Sequence, residues 1–323
     1  MLQLILLLLS LPLSAAPDPV RVGIIGLDTS HSPAFTRLIN SADGEGLIDT
    51  YEVVAAFPYG SRTIASSYER IPQYTEAVRG LDVEIVDSIE DLLSRVDVVL
   101  LETNDGTLHL EQALQVIAAG KPLFIDKPVA ASLEDVLAVF DAADAAGVPL
   151  FSSSSLRYMS SAQAVRGGSI GTVLGATTYS PAHLEPSHPD LYWYGIHGVE
   201  TLFTVMGTGC EVIVRTHTET ADAVTCTWED GRIGTFYGMR DGETGYGGTA
   251  FGTDGTAPLG PYEGYEGLVH RILEFFESGS SPVDAAETIE IYAFMSAADE
   301  STRLDGAPVR IDAVLERARA ALR

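Results

Sequence analysis

The first half of the chain alternates apolar runs with helical patterns, and this order restricts the possible folds more than any other feature. The apolar runs between residues 21 and 155 are RVGIIG, YEVVAAF, DVVLLE, PLFIDKP and VPLFSSSS. The helical patterns between them are SPAFTRLIN, IEDLLSRV, HLEQALQVIAAG and LEDVLAVFDAADAAG, with Ser32 expected as the first N-cap and Pro33 at the first helical position. Strands separated by such helices form βαβ units, which predicts a Rossmann-type, doubly wound parallel sheet that binds ligands at its carboxyl edge.

The second half predicts a different kind of sheet. The short alternating runs CEVIVRTHT, AVTCTW and RIGTFYG are typical of an open-faced, mostly antiparallel sheet with one solvated face. Helices are expected around residues 196–206, 264–278 and 284–299, and the glycine-dense segment 241–267 is expected to be a mobile loop. The predicted fold class is therefore α/β followed by α+β. The domain boundaries are expected at residues 20–151 and 152–323.

The charge of the chain excludes two classes of partner. It has 45 acidic and 19 basic residues, with a formal net charge of −26. Because phosphate backbones and anionic membrane surfaces would be repelled, we expect neither a nucleic acid nor such a membrane as the partner.

The N-terminus carries a targeting pattern. MLQLILLLLSLPLSAAPDPV has an apolar run followed by small residues, which predicts a signal peptide over residues 1–16 and export to the periplasm or outside the cell. The alternative is an uncleaved N-terminus that anchors the protein to the membrane. The sequence lacks a twin-arginine pair, so the protein is expected to cross unfolded, without a bound cofactor. In an oxidising compartment Cys210 and Cys226 could form a disulfide, and the alternative is two buried thiols.

Lysine is rare in this chain, and its placement is informative. The only two lysines, Lys121 and Lys127, lie in the stretch GKPLFIDKPVA. Lys127 is expected at the carboxyl edge of a buried strand, where a partly desolvated amine can exchange protons with a substrate hydroxyl. Pro128 would fix the backbone after it, and Asp126 could hold the ammonium group. The alternative is that Lys127 only caps the strand at the surface. Lys121, at the other end of the strand, is expected to be a turn residue.

Three longer stretches resemble one known family. DVVLLETNDGTLHLEQALQVIAAGKPLFIDKPVA, SLRYMSSAQAVRGGSIGTV and GIHGVETLFTVMG are similar to the glucose–fructose oxidoreductase/inositol dehydrogenase (Gfo/Idh/MocA) family, and the resemblance runs from about Val20 to Arg310. It implies a Rossmann dinucleotide-binding-like domain over residues 20–151, followed by an open-faced substrate or dimerisation domain over residues 152–323, whose sheet carries the active site. It also implies a nicotinamide cofactor, a sugar or polyol substrate, and homo-oligomers formed through the open sheets.

The resemblance implies roles for individual residues. Lys127, here in Asp-Lys-Pro rather than the family's Glu-Lys-Pro, matches the general acid/base, and His197 matches a second active-site position that could shuttle the proton. Many family members carry an acid four residues before this histidine, whereas this chain has Trp193, which can stack on a sugar but cannot charge His197. The expected substrate contacts are Arg157, Tyr158, Trp193 and Tyr194. Alternatively, His197 is a core histidine, and Arg157 and Tyr158 hold the domain junction.

The cofactor loop departs from the family pattern Gly-x-Gly-x-x-Gly. Only the first glycine, Gly26, is present, and Asp28 and His31 replace the other two. Thr29 and Ser30 still offer donors at a helix N-terminus, so an anion site remains possible. The second strand lacks the acid that usually binds the ribose, and Ser61 and Arg62 could instead receive a 2′-phosphate, which favours NADP over NAD. The candidate cofactor-binding residues are Gly26, Asp28, Thr29, Ser30, His31, Ser61, Arg62 and Asp126.

The stretch PAHLEPSHPDLYWYGIHGVE suggests a metal site. A divalent ion could be held by His183, His188, His197 and Glu200, since the last two are three residues apart on a predicted helix. The alternative is a polar substrate-binding loop without an ion.

Three functions are consistent with these features. The first is an NAD(P)-dependent oxidoreductase acting on a sugar or polyol, with Lys127 as general acid/base assisted by His197. The second is an exported, redox-neutral relative that acts on a carbohydrate without a dissociable dinucleotide, with or without a metal. The third is a non-catalytic sugar-binding protein.

Overall fold

A computed structural model describes residues 18–41 and 46–323. The predicted signal peptide, residues 1–16, lies outside the described residues. Within the described ranges, no helix has the length and apolar character needed to cross a membrane.

The first sheet is built as the alternating pattern predicts. Its strands are β1 (Val20–Ile25), β2 (Tyr51–Phe57), β3 (Glu84–Ile85), β4 (Val98–Leu101), β5 (Leu123–Ile125) and β6 (Leu150–Ser152). All neighbouring pairs are parallel, in the order β3-β2-β1-β4-β5-β6. The chain crosses from one side of β1 to the other between β3 and β4, which opens a crevice at the carboxyl edge of β1 and β4. The prediction of a doubly wound parallel sheet is confirmed.

Six helices accompany this sheet: α1 (His31–Ile39), α2 (Ala65–Tyr68), α3 (Ile71–Arg79), α4 (Ile89–Arg95), α5 (His109–Ala118) and α6 (Leu133–Ala146). Helix α4 begins after Ser88 and α6 after Ser132, and each serine side chain accepts a backbone N–H of the first turn. Helix α1 differs from the expectation, because it begins at His31 rather than after Ser32. The Ser32 hydroxyl donates to the carbonyl of Gly26 instead of capping the helix.

The second sheet has seven strands: β7 (Val173–Pro181), β8 (Cys210–His217), β9 (Ala221–Trp228), β10 (Ile233–Met239), β11 (Gly247–Gly252), β12 (Thr256–Leu259) and β13 (Val309–Arg310). Their order is β12-β11-β7-β10-β9-β8-β13. Only the β7–β10 pair is parallel. The predicted open-faced, mostly antiparallel sheet is therefore confirmed.

The helices of the second half are α7 (Ser160–Arg166), α8 (Asp190–Trp193), α9 (Ile196–Met206), α10 (Glu266–Ser278), α11 (Ala285–Arg303) and α12 (Ile311–Ala321). Short 3₁₀ turns occupy Ile48–Thr50 and Ser155–Tyr158. Although α10 belongs to the second half, its buried Leu268 and Ile272 join the core cluster that covers one face of the first sheet, with Val22 and Ile24. The two halves are thus packed together beside the cleft.

The prediction of a mobile loop over residues 241–267 is wrong, because β11 and β12 lie within it. Strand β11 pairs with both β7 and β12. A Cβ atom on Gly248 would lie 2.4 Å from the carbonyl oxygen of Thr177, so this glycine permits close strand contact and does not mark flexibility.

The two cysteines form a disulfide. Cys210 and Cys226 link β8 to β9, with their Cα atoms 6.0 Å apart. Of the two alternatives that the sequence left open, the structure has the disulfide rather than two thiols.

Candidate active site

A cavity of about 270 Å³ lies between the carboxyl edge of the first sheet and the second domain. It is lined by Thr29, Ser30, His31, Ser66, Arg70, Asn104, Lys127, Ser155, Leu156, Trp193, Tyr194, His197, Tyr246, Tyr262 and Tyr265. The sequence-predicted residues that the structure brings together here are Thr29, Ser30, His31, Lys127, Trp193, Tyr194 and His197. The volume is near the lower limit of known ligand pockets, about 300 Å³. It suits one small polar ligand.

Lys127 lines this cavity. It follows the short strand β5 and is 8% exposed. Its Nζ atom lies 5.7 Å from the centroid of the Tyr194 ring, and no carboxylate of the described residues forms a salt bridge with it. The Asp126 carboxylate bonds directly to His31 and not to this ammonium, although the charge of Lys127 still lowers the pKa of Asp126. Lys121 is a turn residue whose ammonium donates to the carbonyl of Val96 at 2.9 Å.

His197 faces the same cavity from α9. Its Nδ1 atom lies 2.7 Å from the hydroxyl oxygen of Ser154. Burial, and then the positive charge of Lys127, lower the pKa of His197 well below its ordinary value. The imidazole is therefore neutral near neutral pH, as proton exchange with a substrate hydroxyl requires.

Three tyrosines that the sequence did not suggest form one wall of the cavity. Tyr246, Tyr262 and Tyr265 all lie within the glycine-dense segment 241–267. The hydroxyl groups of Tyr262 and Ser155 are 3.2 Å apart, and the ring of Tyr265 meets that of His31 edge to face at 4.7 Å. The alternation of tyrosine and glycine in that segment was a signal that could have identified this wall.

Asp28 ties the cofactor loop to two neighbouring loops through hydrogen bonds. This side chain is fully buried, and its carboxylate accepts the backbone N–H groups of Ser61 and Asn104, each at 2.9 Å. Burial raises the pKa of Asp28 to about 6, although the two N–H groups act in the opposite direction. Gly26, with φ of 94°, is required here, since a Cβ atom would lie 2.4 Å from the backbone nitrogen of Thr103.

The residues expected to receive a 2′-phosphate are engaged elsewhere. Ser61 is buried, and its hydroxyl oxygen accepts the N–H groups of Thr63 and Ile64. The exposed Arg62 guanidinium lies over the ring of Tyr59 at 4.9 Å. Neither residue lines the cavity, so the structure gives no support to a preference for NADP.

These residues fit a dinucleotide only in part. Thr29 and Ser30 line the cavity at the amino end of α1, where helix N–H groups favour an anion. Against this, the Asp28 carboxylate already binds two backbone donors of the neighbouring loops.

Two further acids lie beneath the cavity. Oδ2 of Asp126 is 2.7 Å from Nδ1 of His31, and Oε2 of Glu102 is 4.0 Å from the same nitrogen. Burial, and then the charge of Asp126, raise the pKa of Glu102 well above its ordinary value. Burial acts the same way on Asp126, but the charge and hydrogen bond of His31 outweigh it and hold the pKa of Asp126 below its ordinary value.

The predicted metal set of His183, His188, His197 and Glu200 is wrong. Nε2 of His188 accepts the N–H of Gly106 at 3.0 Å, and His183 is exposed. The Glu200 carboxylate accepts from Ser153 and Arg157, so it points away from His197. Helical spacing placed Glu200 near the site, but a buried arginine determines its orientation.

Arg157 holds the second domain together and does not reach the cavity. It is 2% exposed, and its guanidinium donates to Glu200 at 2.7 Å and to Glu287 at 2.6 Å. Tyr158 packs against the core cluster on the first sheet. The predicted substrate contacts of these two residues are wrong, and the alternative of a domain-junction role agrees with the structure.

The fold and the cavity define a two-domain α/β protein with its candidate active site at the carboxyl edge of a Rossmann sheet. Residues 20–154 match the family model described as "Oxidoreductase family, NAD-binding Rossmann fold" (Gfo/Idh/MocA). The family prediction from the sequence motifs is therefore confirmed over residues 20–154, a segment shorter than half of the chain.

Sequence relatives are similar over part of their length. Inositol 2-dehydrogenase 3 of Saccharopolyspora erythraea is 29% identical over 199 residues, which cover 57% of this chain and 52% of that protein. The 1,5-anhydro-D-fructose reductase of Ensifer adhaerens is 36% identical over 107 residues, 31% of this chain and 32% of that protein. The chain thus spans about half or less of the length of these relatives.

Solved structures share the complete fold. The myo-inositol 2-dehydrogenase of Lactobacillus plantarum has a TM-score of 0.73 at 17% identity, covering 91% of this chain and 99% of that one. The scyllo-inositol dehydrogenase of Lactobacillus casei, solved with NAD(H) and scyllo-inositol, has a TM-score of 0.71 at 16% identity, covering 91% and 100%. At these identities the likeness shows the fold alone.

Proposed function

We propose that the protein is an oxidoreductase that interconverts a hydroxyl group and a ketone on a sugar or cyclic polyol, with Lys127 as the general acid/base. The observation that carries this proposal is the shared cavity of Lys127 and neutral His197 at the carboxyl edge of an NAD-binding-type domain. Inositol dehydrogenases among the relatives support a polyol as the substrate.

Each residue has a defined part in the proton chemistry. In the oxidation direction, the unprotonated amine of Lys127 takes the hydroxyl proton as the carbonyl bond forms and becomes the ammonium, and in reduction that ammonium returns the proton. Neutral His197 can accept a hydrogen bond from the same hydroxyl and so orient it towards Lys127, while its Nδ1 atom lies 2.7 Å from the hydroxyl oxygen of Ser154. Trp193 and Tyr194 provide aromatic surface against which the apolar face of a sugar ring can pack.

The nicotinamide cofactor, when bound, would accept the hydride from the carbon that bears the hydroxyl. Thr29 and Ser30 at the amino end of α1 would hold its phosphates. NAD is the first cofactor to test, because the matched family model is described as NAD-binding and neither Ser61 nor Arg62 lines the cavity.

A second candidate function rests on Asp28. Its carboxylate binds two backbone N–H groups beside the loop where the family places the pyrophosphate. This arrangement favours an exported, redox-neutral relative that acts on or binds a carbohydrate without a dissociable dinucleotide. Lys127 and His197 would then serve proton transfer alone.

One experiment separates the two candidates. The mature chain is incubated with NAD or NADP and a panel of inositols and sugars, and with the reduced cofactors and the corresponding ketones. The oxidoreductase proposal predicts reduced nicotinamide with at least one polyol, together with saturable NAD binding. If NAD does not bind while a polyol does, the redox-neutral candidate replaces it.

We also propose that the open face of the second sheet pairs with a second copy of the chain. Large apolar side chains exposed on the neighbouring strands β7, β10 and β11 are Leu174, Tyr179, Ile233, Tyr237 and Phe251. Exposed apolar side chains grouped on one sheet are typical of an interface. Light scattering should give a dimer or larger assembly, and Tyr237→Asp should dissociate it. A monomeric wild-type chain would contradict this proposal.

Export to the periplasm or cell exterior remains a proposal, supported by the apolar N-terminus and the Cys210–Cys226 disulfide. Fractionation of the source cells and N-terminal sequencing test it. A cleaved chain outside the cytoplasm agrees with the proposal, and an uncleaved chain in the membrane fraction would support the anchored alternative.

A further inference from the structure

Three metal-ligating side chains meet at the carboxyl edge of the first sheet. His31 begins α1, Glu102 directly follows β4, and Asp126 directly follows β5. One ligand atom from each side chain lies within 4.8 Å of the other two. Nδ1 of His31 is 2.7 Å from Oδ2 of Asp126 and 4.0 Å from Oε2 of Glu102.

Three of the four carboxylate oxygens of this cluster lack a hydrogen-bond donor among the described residues. Glu102 is fully buried, and neither of its carboxylate oxygens has a hydrogen-bond partner there. Asp126 is 2% exposed; its Oδ2 atom bonds to His31, but its Oδ1 atom has no partner in the described part of the chain. Because buried polar atoms are almost always hydrogen-bonded, unpartnered oxygens that face one another indicate a missing positive group or donor.

The neighbouring cationic side chains of the described residues do not donate a hydrogen bond to these unpartnered oxygens. His31 reaches Asp126, but its nitrogen is too far from Glu102 for a hydrogen bond. Lys127 forms no salt bridge with either acid within the described part of the chain, and its ammonium lies towards Tyr194. The positive charge of Lys127 acts on Glu102 from a distance, but no donor of the described residues bonds to the Glu102 carboxylate.

We propose that His31, Glu102 and Asp126 bind one divalent transition-metal cation. An imidazole nitrogen with two carboxylate oxygens suits Zn²⁺, Mn²⁺ or Fe²⁺, whereas Mg²⁺ and Ca²⁺ prefer oxygen ligands alone. At metal–ligand distances of about 2.0–2.2 Å, neighbouring ligand atoms lie roughly 3–3.5 Å apart. The His31–Asp126 pair, at 2.7 Å, must therefore open slightly, and Glu102, at 4.0 Å from His31, must move closer.

The position of the cluster connects the ion to the cavity. The ring of His31 lines the cavity beside Lys127, while Glu102 and Asp126 lie beneath it. A three-residue ligand set leaves coordination positions open, and these would face the small polar ligand. A polyol hydroxyl or a water molecule could occupy them. Ion binding here does not depend on which of the two candidate functions is correct.

The test measures the ion without substrate or cofactor. The mature chain is treated with a chelator, dialysed against micromolar Zn²⁺, Mn²⁺ or Mg²⁺ in separate samples, and analysed by elemental mass spectrometry. We expect about one equivalent of Zn²⁺ or Mn²⁺ per chain, little Mg²⁺, and a melting temperature that rises with the concentration of the bound ion.

Variants locate the ion. Glu102→Gln and Asp126→Asn should each weaken binding at least about 10-fold. Glu185→Gln is the matched control, since it removes one acid from the loop next to α8, outside the cluster, and should bind as the wild-type chain does. If Glu102→Gln fails to fold, Asp126→Asn and the chelated and reloaded wild-type samples still show whether the cluster binds the ion.

Two results would overturn the proposal. The first is substoichiometric ion in the wild-type chain with no change in melting temperature on reloading. The second is equal binding by the wild-type chain and a folded Glu102→Gln variant, which would place the ion elsewhere. NAD binding is measured on separate samples, so failure of the metal site and failure of the oxidoreductase proposal are distinguishable.

Discussion

The ammonium group of Lys127 lies 5.7 Å from the centroid of the Tyr194 ring. Lys127 follows strand β5 of the first domain, and Tyr194 precedes α9 of the second. This contact joins the proton-transfer group to the domain expected to hold the substrate, so the cavity depends on the relative position of both domains.

The ring of Tyr194 is expected to position Lys127 and not to react. Tyr194→Phe keeps the aromatic face and should retain kcat/KM within a few-fold. Tyr194→Leu removes a cation–π contact of about 0.5–2 kcal/mol and should lower kcat/KM by roughly 3- to 30-fold. Steady-state kinetics on both variants check this. Equal losses in the two variants would show that the hydroxyl, not the ring face, is required.

His197 should remain neutral well below the pH at which an exposed histidine titrates. Burial and the charge of Lys127 lower its pKa, so nitrogen-15 NMR of the imidazole should still show the neutral form at a pH where an exposed histidine is already protonated. The signal is assigned by its loss in His197→Gln. Lys127→Met removes the neighbouring positive charge and should raise the pKa of His197. A wild-type His197 that titrates at or above about 6.5 would contradict this electrostatic account.

Asp28 should make the folded state more sensitive to pH. Its folded pKa of about 6 lies above the ordinary value of 3.8, so the protonated carboxyl contributes stability that is fully present below a pH of 3.8. This contribution is lost as the pH rises through the pKa of Asp28 in the folded state. Between pH 5 and 7, the wild-type chain should lose about 1 kcal/mol of unfolding free energy relative to Asp28→Asn. Urea unfolding of both proteins at the two pH values measures the difference, and parallel pH dependences would contradict the assignment.

The disulfide should be a major source of stability for the second sheet. Cys210 and Cys226 are 16 residues apart, and closing a loop of that size stabilises a fold by about 3 kcal/mol. The free energy of unfolding of the double variant Cys210→Ser/Cys226→Ser should therefore be lower by about that amount. Its urea unfolding midpoint should fall accordingly. Oxidised and reduced wild-type protein provide the matched comparison. Alkylation of both thiols in the native protein without reductant would contradict the bridge.

Local patterns predicted most of the fold. Alternating apolar and helical segments were enough for the first sheet, because buried parallel strands need continuous apolar runs. The pattern failed for β11 and β12, where glycine suggested a mobile loop. Gly248 is required there by the approach of Thr177, and that contact comes from a strand about 70 residues earlier in the chain, which no local window contains.

The candidate site was predictable to a lesser degree. Lys127 and His197 were found because motifs place them at the ends of particular elements. The error with Glu200 arose because a buried arginine, and not helical spacing, orients its side chain. Glu102 was present in the sequence as an acid directly after an apolar strand, but only the fold shows that His31 and Asp126 lie beside it.

The most direct test of the central claim compares the only two lysines of the chain. Lys127→Met should lower the rate of NAD-linked polyol oxidation by about 10²–10⁴-fold, because it removes the general acid/base. Lys121→Met should retain the wild-type rate, since its ammonium only donates to the carbonyl of Val96 at a turn. Circular dichroism confirms that both variants are folded. A Lys127→Met enzyme that turns over at the wild-type rate would contradict the proposed mechanism.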